Sequence, residues 1–128
     1  MLDDPYYVRD LIGTAFAYGG RGPYSYDCYG LVREMFRRSG KRVPDYDSPS
    51  GNVEIMAAIM SGLQQWVPTD RKPGVMVVLT LPMTLHCGFV LPHDKMVHAW
   101  RMSNGVCVEP LSTWELKVAG YYEYSDSI

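Results

Sequence analysis

Apolar and polar positions along this chain follow two different periods. From Asp4 onward Val8, Leu11, Ile12, Ala15 and Phe16 recur at the i, i+3, i+4, i+7 spacing of one buried helical stripe. Asp3 or Asp4 can cap that helix and Pro5 suits its first turn, so the pattern predicts a first helix ending near Tyr18. Gly19-Gly20-Arg21-Gly22-Pro23-Tyr24-Ser25-Tyr26 reads as a loop, because its glycines and proline defeat any regular element. Asp27 is a good N-cap for a second helix. Leu31, Val32, Met35 and Phe36 supply its apolar face, Arg33, Arg37 and Arg38 fall largely on its exposed side, and Gly40 is placed to end it. Pro44 to Ser50 is turn-prone, and Val53, Met56, Ile59, Met60 and Leu63 suggest a third helix.

Beyond Pro73-Gly74 the period shortens. Val75–Leu79, Cys87–Leu91, Met96–Trp100, Val106–Val108 and Tyr121–Tyr124 are short runs bounded by Pro, Gly, Asn or Asp, and they read as four or five strands. Pro92-His93-Asp94 and Ser103-Asn104-Gly105 carry turn chemistry. Helices first and an antiparallel meander second predict an α+β domain, with N-terminal helices packed on one side of a sheet of about five strands.

Composition narrows the function. A length of 128 residues, 47% hydrophobic and 20% charged, suits a single globular domain over residues 1–128. A net charge of −2 without a Lys/Arg cluster gives no handle on nucleic acid or on an anionic membrane. No run approaches the ~20 apolar residues of a membrane-inserted helix, and Met1-Leu2-Asp3-Asp4-Pro5 is acidic where a signal peptide would be basic. Cys28, Cys87 and Cys107 cannot all pair, so at least one thiol is expected to be free.

Cys28 opens the second helix. Unpaired N–H groups and the helix dipole favour an anion there, and the thiol shares a face with Leu31, Val32 and Met35, which points it at the sheet. His86 begins one strand and His98 lies in the next. A turn at Pro92-His93-Asp94 sets Leu91 opposite Lys95 and therefore His98 opposite Gly88. Both histidines then share one face as diagonal neighbours, roughly 7–8 Å apart in backbone terms, and Gly88 leaves room between the rings. A thiol, an imidazole base and a second polar group that orients the base form the general logic of an activated cysteine.

These segments resemble the NlpC-type cell-wall peptidases, papain-like cysteine endopeptidases that cut bacterial peptidoglycan stem peptides. Tyr18-Gly19-Gly20 followed by Asp27-Cys28-Tyr29-Gly30-Leu31-Val32 is similar to the family's tyrosine, glycine pair and nucleophile segment. Pro73-Gly74, His86-Cys87-Gly88-Phe89-Val90-Leu91 and Met96-Val97-His98-Ala99 match its turn, its base-bearing strand and the strand of its third catalytic residue. The resemblance runs from about Pro5 to Tyr122. It implies a papain-like fold, Cys28 as nucleophile, His86 as general base and His98 as orienting residue. It also implies Tyr18 and Asp27 lining the site, with Asp27 meeting the stem peptide's amine, and no cofactor.

Two positions depart from the bacterial pattern. Tyr29 stands where a small serine usually follows the nucleophile, which would reshape the substrate groove, and Val75 replaces an acidic residue. With the Gly-Arg-Gly-Pro loop, Tyr29 looks more like the phage members of the family. The resemblance thus implies tail-tip proteins as partners and a location in the virion tail, or in the host cytoplasm before assembly. The rival from another class is a structural tail-tip subunit with little or no hydrolysis. A zinc site is disfavoured because the three Cys and three His form no Cys-x-x-Cys or His-x-x-x-His pair. His93 reads as a solvated turn residue, and Cys87 and Cys107 as small core hydrophobes.

Overall fold

The computed structural model describes residues 4–45, 66–82 and 84–125. Strands β1 (Ala15–Phe16) and β2 (Ser25–Tyr26) form a small parallel pair, helix α1 spans Cys28–Arg38, and six strands follow: β3 (Trp66–Thr69), β4 (Met76–Leu81), β5 (Thr84–Leu91), β6 (Lys95–Trp100), β7 (Gly105–Pro110) and β8 (Val118–Tyr124). The main sheet is antiparallel in the order β3-β8-β4-β5-β6-β7. Turns of 3-10 helix at Arg101–Ser103 and Leu111–Lys117 carry the chain into and out of β7.

The second helix and the meander form where the residue pattern puts them. Helix α1 buries Cys28, Tyr29, Gly30, Leu31, Val32, Met35 and Phe36 against the sheet, contacting β5 and β6. Sheet residues on that side include Met76, Val78, Cys87, Phe89, Val97 and Ala99. Their alternates Val77, Leu79, Val90 and Met96 pack on the other side with Leu111 and Trp114, so the strands are apolar on both faces. The sheet has six strands, one more than expected, because Trp66–Thr69 pairs with β8; its Trp66 is fully buried. The third helix proposed around Val53–Leu63 lies outside the described residues.

The first predicted helix is corrected. Residues 5–13 form successive turns, and the chain then enters β1. Among the described residues only one i→i−4 bond is made there, Ile12 N–H to Val8 O at 3.2 Å. Gly13 N–H instead donates to Val106 O at 3.0 Å and Val106 N–H donates to Thr14 O at 2.9 Å, so tertiary pairing with β7 takes the backbone groups a helix would use. Val8 and Leu11 are still buried while Ile12 is half exposed. Two of the stripe's positions therefore serve the core without a helix.

Candidate active site

Asp27 sets the geometry at the start of α1. Its Oδ1 accepts from Gly30 N–H at 2.6 Å and from the Arg21 guanidinium at 2.8 Å, and its Oδ2 accepts from Gly19 N–H at 3.0 Å. A buried carboxylate with three donors ties the glycine-rich loop to the first helical turn. Close approach of the two segments explains Gly30: a Cβ there would run into the Gly20 carbonyl. This differs from the expected role of Asp27 in meeting a substrate amine, since its oxygens already face loop and helix donors. Tyr29 is likewise fully buried, and its hydroxyl donates to Pro44 O at 2.6 Å, so its ring anchors the chain after α1 instead of reshaping a groove. Tyr18 is 46% exposed, and its hydroxyl accepts from Arg101 at 3.3 Å.

The register across β5 and β6 brings the histidines together as expected. Leu91 pairs with Lys95 and Phe89 with Val97. The paired residues end there although both strands continue, and His86 and His98 face each other beyond that point, with His86 Nε2 and His98 Nδ1 2.8 Å apart. Gly88 permits this, because a Cβ on it would lie 3.2 Å from His98 Cβ and 3.1 Å from Met96 Sδ. Trp100 and Trp114 wall the pair, with ring centroids 5.5–6.4 Å from the imidazoles. Among the described residues the buried indole N–H of Trp100 has no acceptor.

A fourth member extends the chain of contacts. Glu109 on β7 places Oε2 2.8 Å from His98 Nε2, and its Oε1 accepts from Trp114 Nε1–H at 3.3 Å. The sequence carried a signal for it: the Ser103-Asn104-Gly105 turn pairs Trp100 with Gly105 and His98 with Cys107, which sets Glu109 diagonally beside His98 on one face. Cys107 also departs from expectation. It is half-buried, with Sγ 3.5 Å from both His98 Nε2 and Glu109 Oε2, because it pairs directly with His98 across the ladder. Cys87 is buried as expected, but its thiol bears on Cys28. His93 is exposed in its turn.

Electrostatics follow from these contacts. Burial pushes the Cys28 thiol up, but hydrogen bonding with Cys87 and His86 and the His86 charge more than offset it and bring the pKa to about 6. Burial and the neighbouring His86 charge lower His98 to about 4, against the pull of Glu109. His98 is therefore neutral near pH 7, and its contact with Glu109 is an N–H···carboxylate hydrogen bond, not an ion pair. Burial raises Glu109, yet its bonds to His98 and Trp114 hold it below the ordinary carboxylate value. An ionised Glu109 accepts from His98 Nε2–H. His98 Nδ1 then accepts from His86 Nε2–H, and the remaining ring nitrogen, His86 Nδ1, is left to take the Cys28 proton, which makes His86 the charged neighbour that favours the thiolate.

A thiol at a helix start, laid against an antiparallel sheet that supplies a histidine relay, defines the papain-like cysteine hydrolase fold. The chain belongs to the NlpC/P60 family, whose pattern matches residues 13–121. Among solved structures it is similar to NlpC1 from Trichomonas vaginalis, with a TM-score of 0.67 at 20% identity over 94% of this chain and 42% of that one. An NlpC/P60 family protein from Bacillus cereus ATCC 10987 gives a TM-score of 0.66 at 18% identity, covering 89% of this chain and 36% of that one. The NlpC/p60 domain of the peptidoglycan hydrolase SagA gives 0.57 at 20% identity, covering 89% and 88%. At such identities the likeness is one of fold, and the chain spans less than half of the first two proteins. None of the curated proteins matches the chain significantly.

Proposed function

We propose that this protein is a cysteine endopeptidase that hydrolyses amide bonds in peptidoglycan stem peptides through Cys28, His86 and His98. The observation that carries the reading is the unbroken line from Glu109 through His98 to His86, which leaves one imidazole nitrogen for a thiol whose pKa is already about 6. In this mechanism His86 takes the Cys28 proton and the sulfur attacks the amide carbon. Gly30 and Leu31 N–H are taken by Asp27, and the Cys28 amide at the helix start serves as the donor to the developing oxyanion. Collapse breaks the C–N bond, the amine leaves with the proton from His86, and water assisted by His86 hydrolyses the thioester. Glu109 acts through His98 as a positioning residue, Asp27 holds the nucleophile's helix in place, and Tyr18 lines the approach.

A second reading is favoured by one observation: Cys28 and His98 are 0% exposed and His86 is 1% exposed, so a substrate must open its own path. On that reading the chain is a structural tail-tip subunit with little hydrolysis. Digestion of defined muropeptides by the protein and by Cys28→Ala, read by mass spectrometry, separates the two. Release of a new amine by the unmodified protein alone supports the peptidase, and no release supports the docking subunit. The association with a phage tail, which rests on the likeness of Tyr29 and the Gly-Arg-Gly-Pro loop to phage members, is tested by whether the protein co-purifies with assembled tails.

A further inference from the structure

His98, Cys107 and Glu109 meet as a compact set of three different donor atoms. Cys107 Sγ lies 3.5 Å from His98 Nε2 and 3.5 Å from Glu109 Oε2, and the latter two atoms are 2.8 Å apart. Around a tetrahedral zinc ion, with Zn–S near 2.3 Å and Zn–N or Zn–O near 2.1 Å, sulfur sits about 3.6 Å from each light donor and the light donors are about 3.4 Å apart. Two of the three spacings already fit, and the third needs an opening of about 0.6 Å. Each side chain is also held from behind: His98 Nδ1 by His86 Nε2 at 2.8 Å, Glu109 Oε1 by Trp114 Nε1 at 3.3 Å, and Cys107 Sγ by Ser103 Oγ at 3.5 Å. Cys107 and Glu109 are half-buried, so water can fill a fourth position.

We propose that His98, Cys107 and Glu109 form a binding site for zinc or a similar borderline-soft divalent cation, and that occupancy switches the relay off. A thiolate and a carboxylate neutralise a divalent charge, which suits a partly buried site, and the mixed N, S, O set disfavours magnesium and calcium. Binding releases one proton, from Cys107. His98 must offer its Nε2 lone pair, so its proton resides on Nδ1 and is donated to His86 Nε2. His86 can then hold a proton on Nδ1 only: where it was an imidazolium, its Nε2 proton is given up and returns to the Cys28 thiolate, and where it was neutral, its proton shifts to Nδ1, so in either state the base is removed. The neutralised Glu109 also no longer stabilises an imidazolium on His86. The switching half of the proposal rests on the peptidase reading; the binding half does not.

The test titrates the full reduced chain, kept in a phosphine reductant, with Zn(II) by calorimetry and with Co(II) by visible absorption. The expected result is one ion per chain, with a thiolate-to-cobalt charge-transfer band. Cys107→Ser abolishes the band and weakens zinc at least tenfold, Glu109→Gln weakens it, and Cys28→Ala leaves binding intact. Zinc raises the pH midpoint of Cys28 alkylation by at least one unit in the unmodified chain but not in Cys107→Ser, each protein being compared with itself metal-free. Undiminished zinc affinity in Cys107→Ser, or its loss in Cys28→Ala, overturns the site, the latter outcome placing the ion on the nucleophile. One-to-one binding at Cys107 without any muropeptide hydrolysis keeps the site and removes the peptidase reading. Hydrolysis without such binding does the reverse.

Discussion

Replacing His86 with Ala removes one of the two hydrogen bonds and the charge that lower the Cys28 thiol to about 6, and leaves the Cys87 hydrogen bond, which also lowers it, against burial, which raises it. A thiol with a pKa of about 6 is mostly ionised at pH 7, whereas one with the ordinary free value near 8.5 is only about 3% ionised. With His86 gone and the Cys87 bond remaining, the buried sulfur should titrate clearly higher, by up to about 2.5 units if it reaches that free value, a loss of up to about 30-fold in thiolate at pH 7. The rate at one pH reads this poorly, because a more basic thiolate is the better nucleophile and recovers much of the difference. The midpoint of iodoacetamide labelling against pH, followed by mass spectrometry of the Cys28 peptide, reads it directly. Cys87 is raised well above its usual value by burial and Cys107 is raised too, so neither titrates in the same window. Circular dichroism checks that the variant is folded. A midpoint near 8.5 in the unmodified protein, or one that moves by less than half a unit on replacing His86, refutes the relay.

Glu109→Gln keeps an acceptor for His98 but removes the charge, and should lower kcat on muropeptides by about 10- to 100-fold with little change in KM. A drop confined to KM would mean that Glu109 binds substrate instead. Asp27→Ala removes the cap on Gly30 and should cost about 1–2 kcal/mol in urea unfolding, while Asp27→Asn, which retains an acceptor oxygen, should cost less. Stability should also fall as pH drops. His98 titrates at about 4 in the fold against an ordinary 6.5, so the unfolded chain binds more protons between those values and stability is lost on acidification through that window. The His98 share is of order 3 kcal/mol, and Glu109, also held low, acts in the same direction. Thermal melts from pH 7 to pH 4 should therefore flatten in His98→Asn, and an unchanged slope would refute the assignment.

Much of this was legible along the chain because its signals are local. The N-cap at Asp27, the apolar stripe of α1 and the turn at Pro92-His93-Asp94 depend on neighbours a few residues away, and the turn fixed the register that joins His86 to His98. The failures were of two kinds. Residues 5–13 carry a helical stripe, but pairing of Gly13 and Thr14 with Val106, more than 90 residues later, takes the backbone elsewhere. Tyr29 and Asp27 read as groove residues because a position beside Cys28 in the chain says nothing about which way the side chain turns. The packing of the loop decided that.

By itself, the sequence determined the place of Cys28 at a helix start and the register that sets His86 beside His98, since short-range periodicity and turn chemistry specify those. What stands behind His98 was signalled only indirectly, through the register that the Ser103-Asn104-Gly105 turn sets, and the tertiary structure decided the contacts. The close pairs that mark a metal site in sequence are absent, yet folding β6 against β7 sets Cys107 opposite His98 and Glu109 diagonal to it. A donor set assembled across two strands leaves no spacing signature, because the distance that matters runs through the ladder and not along the chain.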